Sequence, residues 1–567
     1  MKILILCVFV CSSLCLCAQS ESDCELTTRS PISYQTRLSG SYGEPRSRHF
    51  HAGIDYKQRR GVPHDTIYSI AEGYVSRISV QPDGYGNALY IDHPCDKTSV
   101  YAHLHQFAPD IQSYIDSIMY ARRSYTANIY PREIGDTLSL TEGQYIGIMG
   151  NTGRSSGPHL HFEIRDTPSE TPVNPALLGF KPSDDIPPHI GGIYIYEFTP
   201  DNEEISRKYY KATKSSSGFY EIDPQIITTG AHKIGFGIRT YDQMNGASNH
   251  NGIYSLDMYA DGKAKFGFTL DKIPFDHAKY IHTHMDYREK KENRYVTNCF
   301  VTDINQLDIY RSDDSKGFVQ PYSYRSTDIN IVVSDIEKNK SVLRLSIRRD
   351  DSRLYDLGFI DTSKQRLTPL EDQYLSNTGS HVSFYDSTFC QPTRISMGSY
   401  NPVQIDLRQE VEIATFRMFR LDHTYKPEEL PKDKYVITSI NDKGEILRHK
   451  TRWSDDSTMV SYLSELKMYQ VEVDTISPKI KIIHLPNTSR KTCKAQITDN
   501  MLPQHHTDDL NIEVYLDEEW ILCQLDGKSN TIKFEMPVDR SQIEHVVKWV
   551  VKDASGNTSS ISRSFIY

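Results

Sequence analysis

Apolar residues along this chain recur mainly with a period of two, in short runs broken by Gly, Pro, Asn and Asp, the pattern of half-buried β-strands joined by tight turns. Strand-like runs at 67–80 and 88–91 flank Pro82-Asp83-Gly84-Tyr85-Gly86-Asn87, which predicts antiparallel hairpins. The period changes after Pro109, where Ile111, Tyr114, Ile115, Ile118 and Met119 share one face at helical spacing. A helical insert is therefore expected over about 109–140, following a strand at 101–105. Strand character returns at 143–149 and 158–165, and Asp184-Asp185-Ile186-Pro187-Pro188 reads as a linker. Beyond it, alternating runs at 233–240, 253–259, 329–333 and 342–347 predict β-sandwich modules, with a second proline-marked boundary at Ile476-Ser477-Pro478. The expected fold class is mainly β: an antiparallel-sheet domain with a helical insert at 19–185, a β-sandwich at 186–348, a β-rich domain at 349–475 and an immunoglobulin-like sandwich at 476–567.

Composition narrows the function classes. A length of 567 residues suits three or four domains, and 37 tyrosines against 3 tryptophans fit a β-rich protein. A formal net charge of -10 argues against nucleic acid or an anionic lipid surface as main partner. Positions 1–18 combine Lys2, an apolar run at 3–17 and small residues near Ala18, which reads as a signal peptide and predicts an exported protein of the periplasm, cell surface or extracellular space. That run is short for a membrane span, and no later stretch reaches the roughly 20 apolar residues a span needs. Cys11, Cys15 and Cys17 follow Val10, Leu14 and Leu16 rather than a small residue, which speaks against a lipid-anchor site. Cleavage near Ala18 leaves Cys24, Cys95, Cys299, Cys390, Cys493 and Cys523; sequence does not choose their pairing, although Cys493 and Cys523 share one segment. No Cys-x-x-Cys spacing exists, so any metal would be held by His and carboxylate.

Histidine spacing alone does not single out a site. His-x-x-x-Asp occurs three times, from His51, His282 and His505, and His-x-His four times, from His49, His103, His159 and His282. Context separates them. In a strand at 158–165, His159, His161 and Glu163 share one face while Leu160, Phe162 and Ile164 face the core. The same parity, applied to 101–105, groups Tyr101 with His103, so that two adjacent strands present His103, His159 and His161 to one groove. His51 and Asp55 would stand roughly 13 Å apart in an extended strand, so their segment is expected to bend, with Gly53 supplying the freedom. One His and one Asp from that bend plus one His from the distant strand make a three-donor set that leaves a zinc position open for water. The His277, His282, His284 and Asp286 cluster has both spacings without the glycine-flanked context and is expected to be structural. The Asp553 to Asn557 stretch reads as a turn rather than a calcium loop.

At these residues the chain resembles the lysostaphin-type, LytM-like zinc endopeptidases. The resemblance rests on His51-Ala52-Gly53-Ile54-Asp55, Ala71-Glu72-Gly73-Tyr74-Val75, Gly84-Tyr85-Gly86-Asn87, Ile91-Asp92-His93, Tyr101-Ala102-His103, Thr152-Gly153 and Ser156-Gly157-Pro158-His159-Leu160-His161-Phe162-Glu163, in the family's order over about 38–175. It implies a compact antiparallel β-sheet with a long open groove. It implies one zinc ion held by His51, Asp55 and His161, and two non-ligand catalytic histidines, His159 as general base and His103 in orienting water or stabilising the oxyanion. The insert after His103 exceeds the compact family pattern and is expected to wall or cover the groove; Tyr42 and Arg46 are candidate substrate contacts.

The function these readings imply is that of an exported zinc metalloendopeptidase hydrolysing peptide bonds in bacterial peptidoglycan, in cross-links or stem peptides, with C-terminal β modules for positioning. Partners would be peptidoglycan peptides and, through those modules, envelope proteins. The alternative is a catalytically silent cell-wall scaffold or activator of another wall hydrolase.

Overall fold

In the computed structural model the described residues are 28–567 apart from 36, 47, 63, 357–362, 402, 410–414, 428, 502–509 and 538–543. The expected signal peptide at 1–18, Cys24 and His505 lie outside them. The architecture is mainly β, and the first unit is built from twelve strands: β1 (Leu38–Gly40), β2 (Ile54–Lys57), β3 (Thr66–Tyr68), β4 (Gly73–Val80), β5 (Asn87–His93), β6 (Lys97–Ala102), β7 (Gln106–Phe107), β8 (Ala127–Ile129), β9 (Ser139–Leu140), β10 (Tyr145–Ile148), β11 (His159–Asp166) and β12 (Thr171–Val173). The main sheet runs β1-β2-β11-β6-β5-β4-β8, with β12 on β11 and β9 on β4, and a small sheet runs β3-β10-β7. Alternation explains why the main sheet is a two-sided layer: Leu160, Phe162 and Ile164 of β11 enter the large core with Ile54, Tyr101 and Ile146, while the other face carries Ala88, Tyr90, Val100 and Ala102.

The predicted insert is a shorter helix than expected. Helix α1 (Pro109–Arg122) starts with Pro109 in its first turn and ends at Arg123, which takes the left-handed conformation (φ 47°) while its N–H closes onto the last turn. Asp110 in the first turn and Arg122 in the last complement the helix dipole. The rest of 109–140 holds only a short 3-10 turn, Pro131–Ile134, between strands: Ala127 and Ile129 are buried on alternate positions and pair as β8 with β4, and β9 joins the same strand. Ile111, Ile115 and Met119 bury into the large core, so the helix braces the sheet through its apolar face.

Beyond residue 188 the chain is a series of further β modules. A ten-stranded sheet is formed within 189–349, and its core is continuous with that of the first unit. Six- and five-stranded sheets within 365–473 enclose Phe384, Phe389, Phe419 and Tyr469. Two four-stranded sheets within 479–566 enclose Trp549 and Val514. Cys493 and Cys523 are buried here as free thiols, not paired with one another, as are Cys299 and Cys390 in earlier modules, whereas Cys95 is disulfide-bonded. Among the described residues no helix is long and apolar enough to cross a membrane.

The last module folds back onto the first. Trp520 stacks on Tyr125 at 4.9 Å and meets Tyr120 edge-on at 5.7 Å, and Tyr125 accepts a hydrogen bond from the Val514 amide. The Gly527 amide donates to the Pro82 carbonyl, and the Lys528 ammonium donates to the carbonyls of Asn151 and Ser155. The helix end therefore supports a neighbouring module, while the loops at 82 and 151–155 are held from outside their own domain.

Candidate metal centre

Strand β11 lies between β2 and β6, and the registers place His161 opposite Asp55 on one side and Ala102 on the other. His51 precedes β2 in a turn that closes against this strand. Gly53 is required there by close approach: a Cβ would lie 2.2 Å from the Phe162 carbonyl oxygen. The turn therefore depends on packing against β11 rather than on a left-handed glycine.

The result is an almost equilateral triangle of donors. His51 Nε2 lies 3.0 Å from Asp55 Oδ1 and 3.0 Å from His161 Nδ1, which is itself 3.0 Å from Asp55 Oδ1. All three residues are buried. Neighbours fix which atom of each ring points inward: His51 Nδ1–H donates to the Ser41 carbonyl at 2.7 Å, and His161 Nε2–H donates to Glu163 Oε1 at 2.7 Å. Three lone-pair-bearing atoms thus converge on one point, an arrangement that repels itself unless a cation occupies the middle. Atoms about 3 Å apart fit ligands at the roughly 2.0–2.2 Å of zinc–nitrogen and zinc–oxygen bonds. His161 answers the same electrostatic need with a proton: burial opposes its charge, but Asp55 and Glu163 raise it to about 9.

A second layer holds this triangle. Glu163 is fully buried and held ionised at about 2; burial works against its charge, and Arg165, His161 and Tyr85 outweigh it. Arg165 Nε donates to its Oε2 at 2.7 Å and Tyr85 to its Oε1 at 2.5 Å. Sequence parity put Glu163 on the site face; what it did not show is that the last β11 residues are covered, so this carboxylate is an internal partner rather than a solvent-facing one. Arg46, a candidate substrate contact by sequence, instead pairs with Asp55 Oδ2 at 2.8 Å. Tyr42, the other candidate, is buried and donates to the Pro172 carbonyl.

His103 arrives by a different route from the one its parity predicts. Tyr101 faces the core, 5.5 Å from Phe162, with its hydroxyl accepting from the Ile70 amide. Strict alternation would have sent His103 the same way. β6 ends at Ala102, and His103 adopts φ 61°, which turns its ring back to the site face. Its ring lies 4.8 Å from that of His159 and 5.8 Å from that of His161. His103 Nδ1–H donates to the Thr152 carbonyl at 2.8 Å, leaving Nε2 as an acceptor. Burial, then the neighbouring His161 and His159, hold His103 neutral at about 3. His159 Nδ1–H donates to the Gly157 carbonyl at 2.8 Å, and its Nε2 stands 3.5 Å from Asp55 Oδ1. The loop carrying Thr152 is locked to the opposite turn through Gly86 and Gly153, both at positive φ, where a Cβ on Gly153 would meet the Gly86 amide at 2.3 Å.

Of the nearby histidines, His93 is buried and bonded to the Glu72 carbonyl and Ser99, and His105 packs on His64 at 4.5 Å. The His277 to Asp286 cluster lies in a different layer and is not drawn into the triangle: His284 packs on Phe50 and Phe268.

The fold thus brings together a candidate metal-binding set, His51, Asp55 and His161, with the imidazoles of His103 and His159 beside it. The sequence profile of Peptidase family M23 matches residues 49–116 and 124–175, so the N-terminal region carries an M23, LytM-like domain match. Among curated proteins it is similar to the DD-carboxypeptidase/endopeptidase Mpg of Neisseria meningitidis serogroup B, with 32% identity over 153 residues, 26% of this chain and 28% of that one. It is also similar to the peptidoglycan DD-endopeptidase ShyC of Vibrio cholerae serotype O1, with 29% identity over 143 residues, 24% of this chain and 26% of that one. The chain thus spans little more than a quarter of the length of these relatives. A solved zinc-containing peptidase from Vibrio cholerae overlaps at 23% identity and TM-score 0.20, over 26% of this chain and 39% of that one.

Proposed function

We propose that this protein is an exported, zinc-dependent endopeptidase that hydrolyses peptide bonds in peptidoglycan, with His51, Asp55 and His161 as the metal ligands. The observation that carries the reading is the triangle of three inward-facing donor atoms, each 3.0 Å from the other two. The relative named as a peptidoglycan DD-endopeptidase supports the substrate class. A zinc ion held there would lower the pKa of a water and polarise a peptide carbonyl.

The chain's own residues supply the proton handling. His159 and His103 each use Nδ1–H on a backbone carbonyl, so each offers an unprotonated Nε2 toward the centre. Either can take a proton, and the protonated ring then becomes a donor able to stabilise developing negative charge. His159, nearer to Asp55, is assigned as the general base, and His103 as its partner. Ser41 and Glu163 keep the two ligand rings in the metal-binding tautomer, and Arg46 draws Asp55 Oδ2 away from the triangle's centre. The module at 476–567, of immunoglobulin-like type, would position the enzyme and steady the loop at 151–157 that holds both imidazoles.

The test is incubation of the zinc-loaded protein with purified peptidoglycan, with and without chelator, and mass spectrometry of the released peptides. Metal-dependent release is expected, and His159→Ala should lower the rate by roughly 10²–10⁴-fold while zinc content stays unchanged. Stoichiometric zinc with no peptide released would favour the silent-scaffold alternative; equal turnover by His159→Ala would remove its assigned role.

A further inference from the structure

A second group of donor atoms lies where the linker meets the next β unit. Carboxylate oxygens of Asp184, Asp242 and Asp335 all lie within 4.8 Å of one another, with Asp242 and Asp335 buried and Asp184 half-buried. Asp184 belongs to the linker, Asp242 follows the strand Lys233–Tyr241, and Asp335 follows the strand Thr327–Ser334. Among the described residues none of the three pairs with a Lys or Arg. Asp335 accepts from the amide and side chain of Asn339 at 2.8 and 2.7 Å, and Asp184 from the amides of Ile186 and Asn245 at 3.2 and 3.1 Å. Asp242 Oδ1 has no partner although it is buried.

An independent observation comes from Asn251. It exchanges both backbone hydrogen bonds with Asp242, at 2.9 and 2.8 Å, so the two side chains project to the same face of that bridge. Asn251 is 3% exposed, yet neither its Oδ1 nor its Nδ2 has a hydrogen-bond partner. Leaving such groups unpaired costs about 1–3 kcal/mol each, and three converging carboxylates add repulsion. Burial, followed by Asp335 and Asp184, pushes Asp242 up to about 7.

We propose that Asp184, Asp242 and Asp335, with the Asn251 amide oxygen, form a calcium site. The donors are all oxygen, as hard divalent cations prefer, and oxygens on opposite sides of Ca²⁺ at about 2.4 Å lie about 4.8 Å apart. One ion would offset the carboxylate charge and give Asp242 Oδ1 and Asn251 Oδ1 a shared partner. A second acidic group, Asp474, Asp499 and Asp553, carries a counter-charge already, because Arg448 pairs with Asp474 at 3.0 Å.

The site would also reach the metal centre mechanically. The loop between Asp242 and Asn251 continues to Gly252, whose N–H donates to Ser41 Oγ at 3.1 Å, and Asn249 donates to the Ser39 carbonyl at 3.3 Å. The Ser41 carbonyl in turn accepts from His51. Calcium would thus fasten the loop that steadies a ligand-orienting residue.

The test is calorimetric titration of CaCl₂ into the zinc-loaded full chain, freed of calcium, alongside thermal melts with and without the ion. Binding is expected with Kd in the range of about 10⁻⁴–10⁻³ M, together with a rise in melting temperature. Asp242→Asn, which preserves volume, should weaken it at least about tenfold while melting no lower than wild type without calcium, because it relieves repulsion. Asp184→Asn in the half-exposed linker gives the same readout with little risk to folding. Absence of calcium binding in the wild type up to about 10 mM, or unchanged affinity in both variants, would overturn the proposal.

Discussion

Two segments of this chain carry the same histidine spacings and end in opposite roles. His51, Asp55 and His161 form the donor triangle with His159 beside it, whereas His282, His284 and Asp286 repeat both spacings and form no such group. The difference is the secondary structure beneath the spacing. In β11, residues two apart share a face, so His159 and His161 reach one groove. His282 and His284 sit in the short helix Ile281–His284, where two residues turn through roughly 200°. His284 is packed against Phe50 and Phe268, with Nδ1 3.0 Å from the Tyr310 hydroxyl, while His282 meets Tyr287 and Phe416 edge-on. The carboxylates differ as well. Asp286 is saturated by Arg207, Arg288 and the Tyr196 hydroxyl, while Asp55 has one arginine on Oδ2 and keeps Oδ1 facing two imidazoles.

The same substitution in both places should separate them most strongly. Asp55→Asn is expected to lower bound zinc from about one per chain to less than about a tenth after dialysis, measured by mass spectrometry of the metal. Asp286→Asn should leave zinc unchanged and instead cost about 1–3 kcal/mol in unfolding free energy, because the buried carboxylate that accepts from Arg207, Arg288 and Tyr196 loses its charge. Next in size, Glu163→Gln should weaken zinc binding about 10–100-fold, since it removes the carboxylate that orients His161; a competition titration reads this, and unchanged affinity would show that Glu163 serves packing alone.

The pH response follows from His161. Its metal-free form is held protonated up to about 9, burial being outweighed by Asp55 and Glu163. Zinc must displace that proton, so apparent affinity should rise roughly tenfold per pH unit between pH 6 and 8, and a flat profile would contradict the assignment. The smallest effect is expected at His282→Ala, with zinc content and peptide release within about twofold of wild type, in keeping with surroundings that offer no second donor.

What was legible in the chain follows the same logic. Alternation through 159–163 shows His159, His161 and Glu163 on one side, because a strand's period is a local property. The turn that brings His103 back is not local: β6 leaves β11 at Ala102 while β11 runs on to His159 against β2, and φ 61° at His103 has no sequence marker. Glu163 could be placed on a face but not as buried, since its cover comes from Tyr85 and Arg165. The helix was visible from Ile111, Ile115 and Met119, but its end was set too late, because the Ala127 and Ile129 alternation that starts β8 is only three residues long. The clasp between Trp520 and Tyr125 joins positions almost 400 residues apart and left no trace in any local pattern.

His51, Asp55 and His161 are expected to hold one zinc ion. Anomalous diffraction at the zinc edge, from crystals of protein purified without added chelator, tests it directly. A single strong peak is expected about 2.0–2.2 Å from His51 Nε2, Asp55 Oδ1 and His161 Nδ1, with no zinc near His282 to Asp286. A peak in that second cluster, or zinc-loaded crystals whose metal lies elsewhere, would contradict it.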